Sequence, residues 1–209
     1  MAKKAYRTWS TGEIVTAAQL NEQIRDNGNA IWVGQAPGDM DYYSAADAKS
    51  RLGIGTETQV LKVVNGVPAW RSLYGCRVYR TTAQETYTGI EAVINSFNAE
   101  TFDSGYHSGS DGFLTVPSGM SGAYMIQASG YFDGHPTGNL LREMGIRIGS
   151  SVIQRISTVN PYGDNTATHL NICIIYWLNV GDTVSLSVLQ KSGNNLNFNN
   201  ATLSLIKLV

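Results

Sequence analysis

The sequence predicts a mainly β protein: an antiparallel jelly-roll sandwich over residues 74–209, preceded by a short N-terminal helix and a small helix-and-hairpin connector. Three observations predict it. Among 209 residues there are 22 Gly but only 5 Pro, with many Asn, Ser and Thr, which suits short strands joined by tight turns. Apolar runs over residues 76–81, 112–116, 123–132, 141–148, 152–158, 169–180, 183–190 and 202–208 are separated by turn residues, the pattern of a sandwich. The third observation is the pair of strands within residues 168–190. In the second of them Val184, Leu186 and Val188 alternate with Ser185 and Ser187, so that strand is half-buried. The first carries Leu170, Ile172, Ile174, Tyr176 and Leu178 on one face and Cys173, Ile175 and Trp177 on the other, and a strand apolar on both faces needs cover on both. Either the second face meets copies of the same chain, with Ile175, Tyr176 and Trp177 at the interface, or both faces lie inside one sandwich under a covering loop.

Charged residues are 15% of the chain and the net charge is −1, so there is neither a basic field for nucleic acid nor an acidic tail. The two cysteines, Cys76 and Cys173, form no disulfide framework and read as buried thiols of a chain folded in a reducing cytoplasm. Lys3 and Lys4 are followed by polar residues rather than the apolar run of a signal peptide. No apolar run approaches the roughly 18–20 residues that span a membrane, so no membrane insertion is expected.

Residues 1–33 start loosely and basic, with Lys3, Lys4 and Arg7. Thr16 then predicts a helix N-cap, with Gln19 completing a capping box. The helix would place Ala17, Leu20, Ile24, Asn27 and Ile31 on one seam at spacings of three and four. Two such heptads are too short to hold a coiled coil alone. They pack three helices, with Ile24 and Ile31 at the interface and Asn27 fixing register, if a larger domain already joins the chains. The alternative is a single amphipathic helix docked on another protein.

Residues 34–73 read as a connector. Gly34 to Asp39 form a turn cluster, and Ser44 and Asp47 resemble another capping box, with Gly53 as a stop, which predicts a short helix over residues 44–52. Asn65-Gly66 between two apolar runs predicts a hairpin.

The run Trp9, Gly12, Val15, Thr16, Ala17, Ala18, Leu20, Asn21, Ile24, Arg25, Asp26, Asn27 resembles the virion-attachment start of tailed-bacteriophage fibre and fibre-like proteins. Residues 48–53, 59–61 and 65–70 are similar to the short spacer that such proteins place before a receptor-facing head. This implies attachment to other virion proteins through Trp9, Leu20 and Ile24. In the head, Phe102, Asp103, Tyr106, His107, the run 112–117 and the run 122–126 resemble the complement and tumour-necrosis-factor superfamily of trimeric jelly rolls, as does the run 178–186 before a last apolar strand. That resemblance implies a homotrimer whose first and last strands lie together near the stalk. The calcium sites of some family heads have no counterpart here.

With the last strand running toward the stalk, alternating strand directions place residues 133–139, 159–167 and 191–201 at the far tip, and residues 117–121, 149–151 and 179–182 at the base. The tip loops hold the candidate receptor-binding residues His135, Asn139, Tyr162, Asp164, Asn165, Asn194, Asn195, Asn197, Phe198 and Asn199. Asn amides donate and accept toward sugar hydroxyls, and aromatic rings offer flat apolar faces. Taken singly, each such Asn is a turn residue that tolerates left-handed backbone.

Catalytic chemistry is not expected. His107, His135 and His169 lack metal-ligand spacing, and no nucleophile elbow or phosphate loop occurs, so neither metal nor cofactor is called for. The carboxylates of a glycosidase pair in space rather than in sequence. The sequence therefore reads as a trimeric phage fibre-type adhesin of the virion, binding a host surface glycan. A purely architectural decoration or tail protein is the second reading and a polysaccharide depolymerase the third.

Overall fold

The computed structural model describes residues 7–26, 28, 36–46, 48–57, 59–135, 140–159 and 165–208. The chain divides into two compact units, Met1–Leu73 and Tyr74–Val209.

In the first unit the Thr16 hydroxyl accepts from the Gln19 amide at 3.3 Å, and Gln19 Oε1 accepts from the Thr16 amide at 2.8 Å, closing the capping box that opens α1 (Ala17–Leu20). Beyond Leu20 the chain widens into a π-helical stretch, Asn21–Asp26, with longer i→i+5 closure. The three-and-four spacing of the expected seam therefore does not hold past Leu20. Asn27 and Ile31 lie outside the described residues.

The helix expected over residues 44–52 is instead a hairpin, β1 (Met40–Ala45) with β2 (Ala48–Leu52). The aromatic pair Tyr42 and Tyr43 favours a strand. Ser44 and Ser50 hydroxyls meet across it at 2.7 Å, so Ser44, read from the sequence as a cap with Asp47, instead bridges the two strands; Asp47 lies outside the described residues. Cross-strand pairing here overrides local helix propensity. The second hairpin matches expectation. Strands β3 (Gln59–Val64) and β4 (Val67–Ser72) flank Asn65 and Gly66, whose φ values of 51° and 82° are those of a type I′ turn. Trp70 anchors this unit: its indole N–H donates to the Gly53 carbonyl at 2.7 Å, and its ring lies where a Cβ on Gly55 would come within 2.6 Å.

The second unit contains β5 (Gly75–Tyr79), β6 (Gln84–Thr86), β7 (Ala92–Val93), β8 (Ala99–Asp103), β9 (Phe113–Thr115), β10 (Gly122–Phe132), β11 (Leu141–Ile148), β12 (Ser151–Val159), β13 (Thr168–Leu178), β14 (Thr183–Gln190) and β15 (Leu196–Lys207). One sheet runs β13-β10-β15-β5-β8, with β6 also on β15; the other runs β12-β11-β14-β7, with β9 also on β14. Every strand pairing is antiparallel. The chain changes sheet at every step from β6 onward except between β11 and β12, giving a jelly-roll sandwich. Between the sheets lie Phe97, Tyr106, Tyr124, Phe132, Phe198, Met144 and a set of branched aliphatics, all nearly or fully buried. Tyr106 and Tyr124 share a hydroxyl contact of 2.9 Å, and burial pushes both phenols above their ordinary pKa.

Strand β15 corrects the expected loop over residues 191–201. Leu196 and Phe198 point inward, but so do Ala201, Leu203 and Leu205, one residue out of phase. The extra residue is a bulge, where Asn200 adopts φ 49° and the pairing with β10 shifts between Ser129 and Tyr131. Segments 84–86, 92–93 and 99–103, too short to show a period, are strands that the sequence pattern misses.

Gly112 lets its own backbone approach loop 94–98, which lends Ile94 and Phe97 to the core. A Cβ there would stand 2.1 Å from the Ile94 carbonyl oxygen and 2.8 Å from the Asn95 carbonyl carbon, both backbone atoms. Gly112→Ala is expected to destabilise the protein by about 1–3 kcal/mol, the usual cost of overpacking, read as a lower urea midpoint at unchanged slope.

Candidate functional site

Two surfaces of the second unit bear on function. The first is the outer face of the six-stranded sheet. Register lines up Ile175, Met125, Ile206 and Gly75 across β13, β10, β15 and β5, with Trp177 beside Ala123 toward the base. Ile175 is 70% exposed and Trp177 59%, and Met125, Phe102 and Leu208 are also exposed. A shallow groove on this face is lined by Arg77, Phe102, Met125, Gln127, Ser204 and Ile206. Toward the tip the same face turns polar, through Asn171, Ser129 and Thr202. Strand β13 is therefore two-sided in the way its sequence suggests: Leu170, Ile172 and Leu178 are buried in the sandwich, while Cys173, Ile175 and Trp177 face outward. No loop of the described residues covers them. Cys173 is thus exposed in the single chain, not buried as expected; Cys76, on the inner face of β5, is buried, and that burial pushes its thiol pKa up. Tyr176 is at the edge, 36% exposed.

The second surface is the tip. Hydrogen bonds tie its loops together. Asp133 Oδ1 accepts from the Asn199 amide at 2.7 Å and Oδ2 from the Asn197 amide at 3.1 Å. The Asn194 amide meets His135 Nε2 at 2.9 Å, and the Asn195 amide donates to Glu85 at 3.2 Å. Gly134 lies so close to the Asn165 carbonyl that a Cβ would reach 1.9 Å from its oxygen. His135, Asn165, Asn194, Asn195, Asn197 and Asn199 are thus brought to one end. Phe198 is not: it is fully buried, edge-on to Phe132 at 4.9 Å between centroids, because the bulge turns its side chain into the core. Asn139, Tyr162 and Asp164 lie outside the described residues.

Beneath these loops Gln190, fully buried, is saturated. Its NH₂ donates to the Thr86 and Asn194 carbonyls, and its Oε1 accepts from the Ser192 amide and hydroxyl. The segment after β6 joins the tip as well, through Gly89 N–H to the Gln190 carbonyl at 2.7 Å and Gly193 N–H to Thr88 Oγ1 at 3.0 Å. It brings Tyr87, 54% exposed, which the sequence reading missed because no apolar period marks residues 84–93. Tyr131 stacks on His169 at 4.9 Å on the outer face just below. The opposite end holds the short turns: Asp182 closes its own turn by accepting from the Asn179 amide at 2.8 Å, and Gly181 N–H donates to the Val116 carbonyl at 3.0 Å.

In the first unit Trp9, Leu20 and Ile24 are exposed at 37%, 49% and 65%. Arg7 pairs with Glu13, and its guanidinium stands 4.9 Å from the Trp9 ring centroid. Among the described residues no His, Cys, Asp and Glu group has the arrangement of a metal site. No described helix is long and apolar enough to cross a membrane.

No family profile and no curated protein sequence matches the chain. Solved structures similar to it include the PRD1 vertex protein P5, at 18% identity and a TM-score of 0.46 over 65% of this chain and 96% of that one. The globular domain of zebrafish complement 1qA protein is similar at 14% identity and a TM-score of 0.45 over 65% of this chain and 98% of that one. Murine APRIL is similar at 10% identity and a TM-score of 0.47 over 66% of this chain and 100% of that one.

Asp133 is the acceptor for two Asn amides of β15 and so ties its own loop to the start of that strand. Asp133→Ala is expected to cost about 1–3 kcal/mol of stability, the usual penalty for stranding hydrogen-bond donors, and to speed amide hydrogen exchange in residues 194–199 before the rest of the sandwich.

Proposed function

We propose that this chain is a non-enzymatic virion structural protein of the phage fibre type. It assembles as a homotrimer through the outer face of the six-stranded sheet and presents the tip loops to a host surface glycan. One observation carries the assembly: the contiguous apolar stripe of Trp177, Ile175, Met125 and Ile206, two of whose members are more than half exposed in the single chain. Fully covering each such side chain is worth roughly 1.5–3 kcal/mol, and an apolar patch on a sheet face marks an interaction surface. The sequence resemblance to trimeric jelly rolls supplies the stoichiometry. The resemblance of residues 9–27 to virion-attachment segments, with Trp9, Leu20 and Ile24 exposed, gives the N-terminal unit its role in docking to other virion proteins.

Glycan recognition rests on the convergence of three loops at the end opposite the short turns, with Tyr87 and the Tyr131–His169 stack as flat surfaces for sugar rings. The architectural reading also has an observation in its favour. The amides of Asn194, Asn195, Asn197 and Asn199 are each engaged in an internal contact, which makes this Asn set a clasp between loops as well as a candidate contact surface.

Light scattering on the full chain is expected to give three chain masses. Trp177→Glu is expected to weaken association about a hundredfold, an effect of roughly 2–3 kcal/mol typical of an interface hot spot, while far-UV circular dichroism is unchanged. A monomeric wild type contradicts the assembly. A glycan array and a host-cell binding assay, both blank for an intact trimer, leave the architectural role in place of the adhesive one.

A further inference from the structure

Arg142 heads the fully buried side chains by size, and among the described residues no ion pair answers its charge. It lies one residue inside the tip end of β11 and points between the sheets, as Met144 and Ile146 do. Its Nη1 donates to the Leu141 carbonyl at 3.2 Å, and its guanidinium carbon stands 5.7 Å from the centroid of the Phe132 ring. Among the described residues Nε and Nη2, both buried, have no hydrogen-bond partner. Gln190, directly opposite on β14, offers no help, because its amide oxygen already accepts twice from Ser192. Thr168, directly opposite Phe132 in the facing sheet, likewise has a buried hydroxyl without a partner among the described residues. Burial draws the Arg142 pKa below its ordinary value, and among the described residues no carboxylate counters it.

A guanidinium removed from water without a counter-charge is strongly unfavourable. The unpartnered atoms are also a particular pair. Nε and Nη2 form the side-on edge that grips a carboxylate through two parallel hydrogen bonds, whereas Nη1 is already used. We propose that this edge of Arg142, with the Thr168 hydroxyl, is the floor of a carboxylate-binding site at the tip end of the inter-sheet core, suited to an acidic sugar. The inference deepens the tip-binding reading and rests on it for the saccharide. It stands apart in one respect: loop binding of a neutral glycan survives if the carboxylate site fails.

The test is the thermal midpoint of the full chain at fixed ionic strength in glucuronate, acetate, glucose or chloride. Glucuronate is expected to raise the midpoint by several degrees over matched chloride, as a ligand of the folded state does, and glucose is not. If acetate acts equally, a free carboxylate suffices; if only glucuronate acts, the sugar contributes. Both results support the site. Arg142→Met is expected to abolish the shift and, in chloride alone, to leave the midpoint unchanged or higher, since an unpaired buried charge has been removed. Arg142→Lys keeps the charge without the fork and is expected to lose most of the shift. The proposal is overturned if carboxylates act no differently from chloride, or if Arg142→Met retains the shift. It is equally overturned if Arg142→Met in chloride melts far below wild type or fails to fold, because the guanidinium then has a structural partner within the chain.

Discussion

The structure depends on where β15 lies. The last strand is not at an edge but between β10 and β5, paired to both along much of its length. Its side chains Leu203 and Leu205 complete the middle of the core, so neither sheet face is finished without it. The pairing also fixes polarity. Because Lys207 sits opposite Tyr124 and Phe198 opposite Phe132, the end of β15 marks one pole of the sandwich and its start the other. Short turns gather at the first pole and loops tied by side-chain hydrogen bonds at the second. A strand that must insert between two others also makes the fold one of non-local contacts, which close late and slowly.

Much of the fold was legible because it follows simple periods. Thr183–Gln190 is a strand with the bounds its alternation suggests, but it is not half-buried: Ser185 and Ser187, on the face opposite Val184, Leu186 and Val188, are buried as well. Leu141–Ile148 appears with the bounds its apolar run suggests. Thr16 with Gln19 and Asn65 with Gly66 carry local signals strong enough to survive into the structure. The misreadings have separate physical causes. Leu196 and Phe198 look like loop residues because the bulge shifts them out of phase with Ala201, Leu203 and Leu205. Ile94, Phe97 and Tyr106 belong to the core yet sit in irregular segments, where no period exists to reveal them. Residues 44–52 carry helix-favouring Ala and a cap-like Ser, but pairing with Met40 to Tyr43 decides the outcome.

That these loops gather at one end of the sandwich was legible, but their chemistry was not. Loop parity located His135, Asn165 and Asn194 at one end, since direction alternates strand by strand. It could not show that the Asn amides would be spent on Asp133, Glu85 and His135, because those contacts join residues as much as 110 positions apart. Nor could it distinguish Arg142 from any other arginine on a strand. Only burial against the opposite sheet isolates its Nε and Nη2 atoms.

The bulge at Asn200 divides one continuous strand between two neighbours. Below it β15 pairs with β5; above it the same strand pairs with β6. An extra residue at this point absorbs twist and offset locally, in place of passing them along the strand. The exposed residues 193–195 lie beyond this joint from residues 202–206 on the outer sheet face, whereas Ser192, Leu196 and Phe198 are held by burial. Such a joint separates the loop at residues 193–195 from the outer face that carries the apolar stripe, and it marks a natural seam for grafting a foreign loop onto this scaffold.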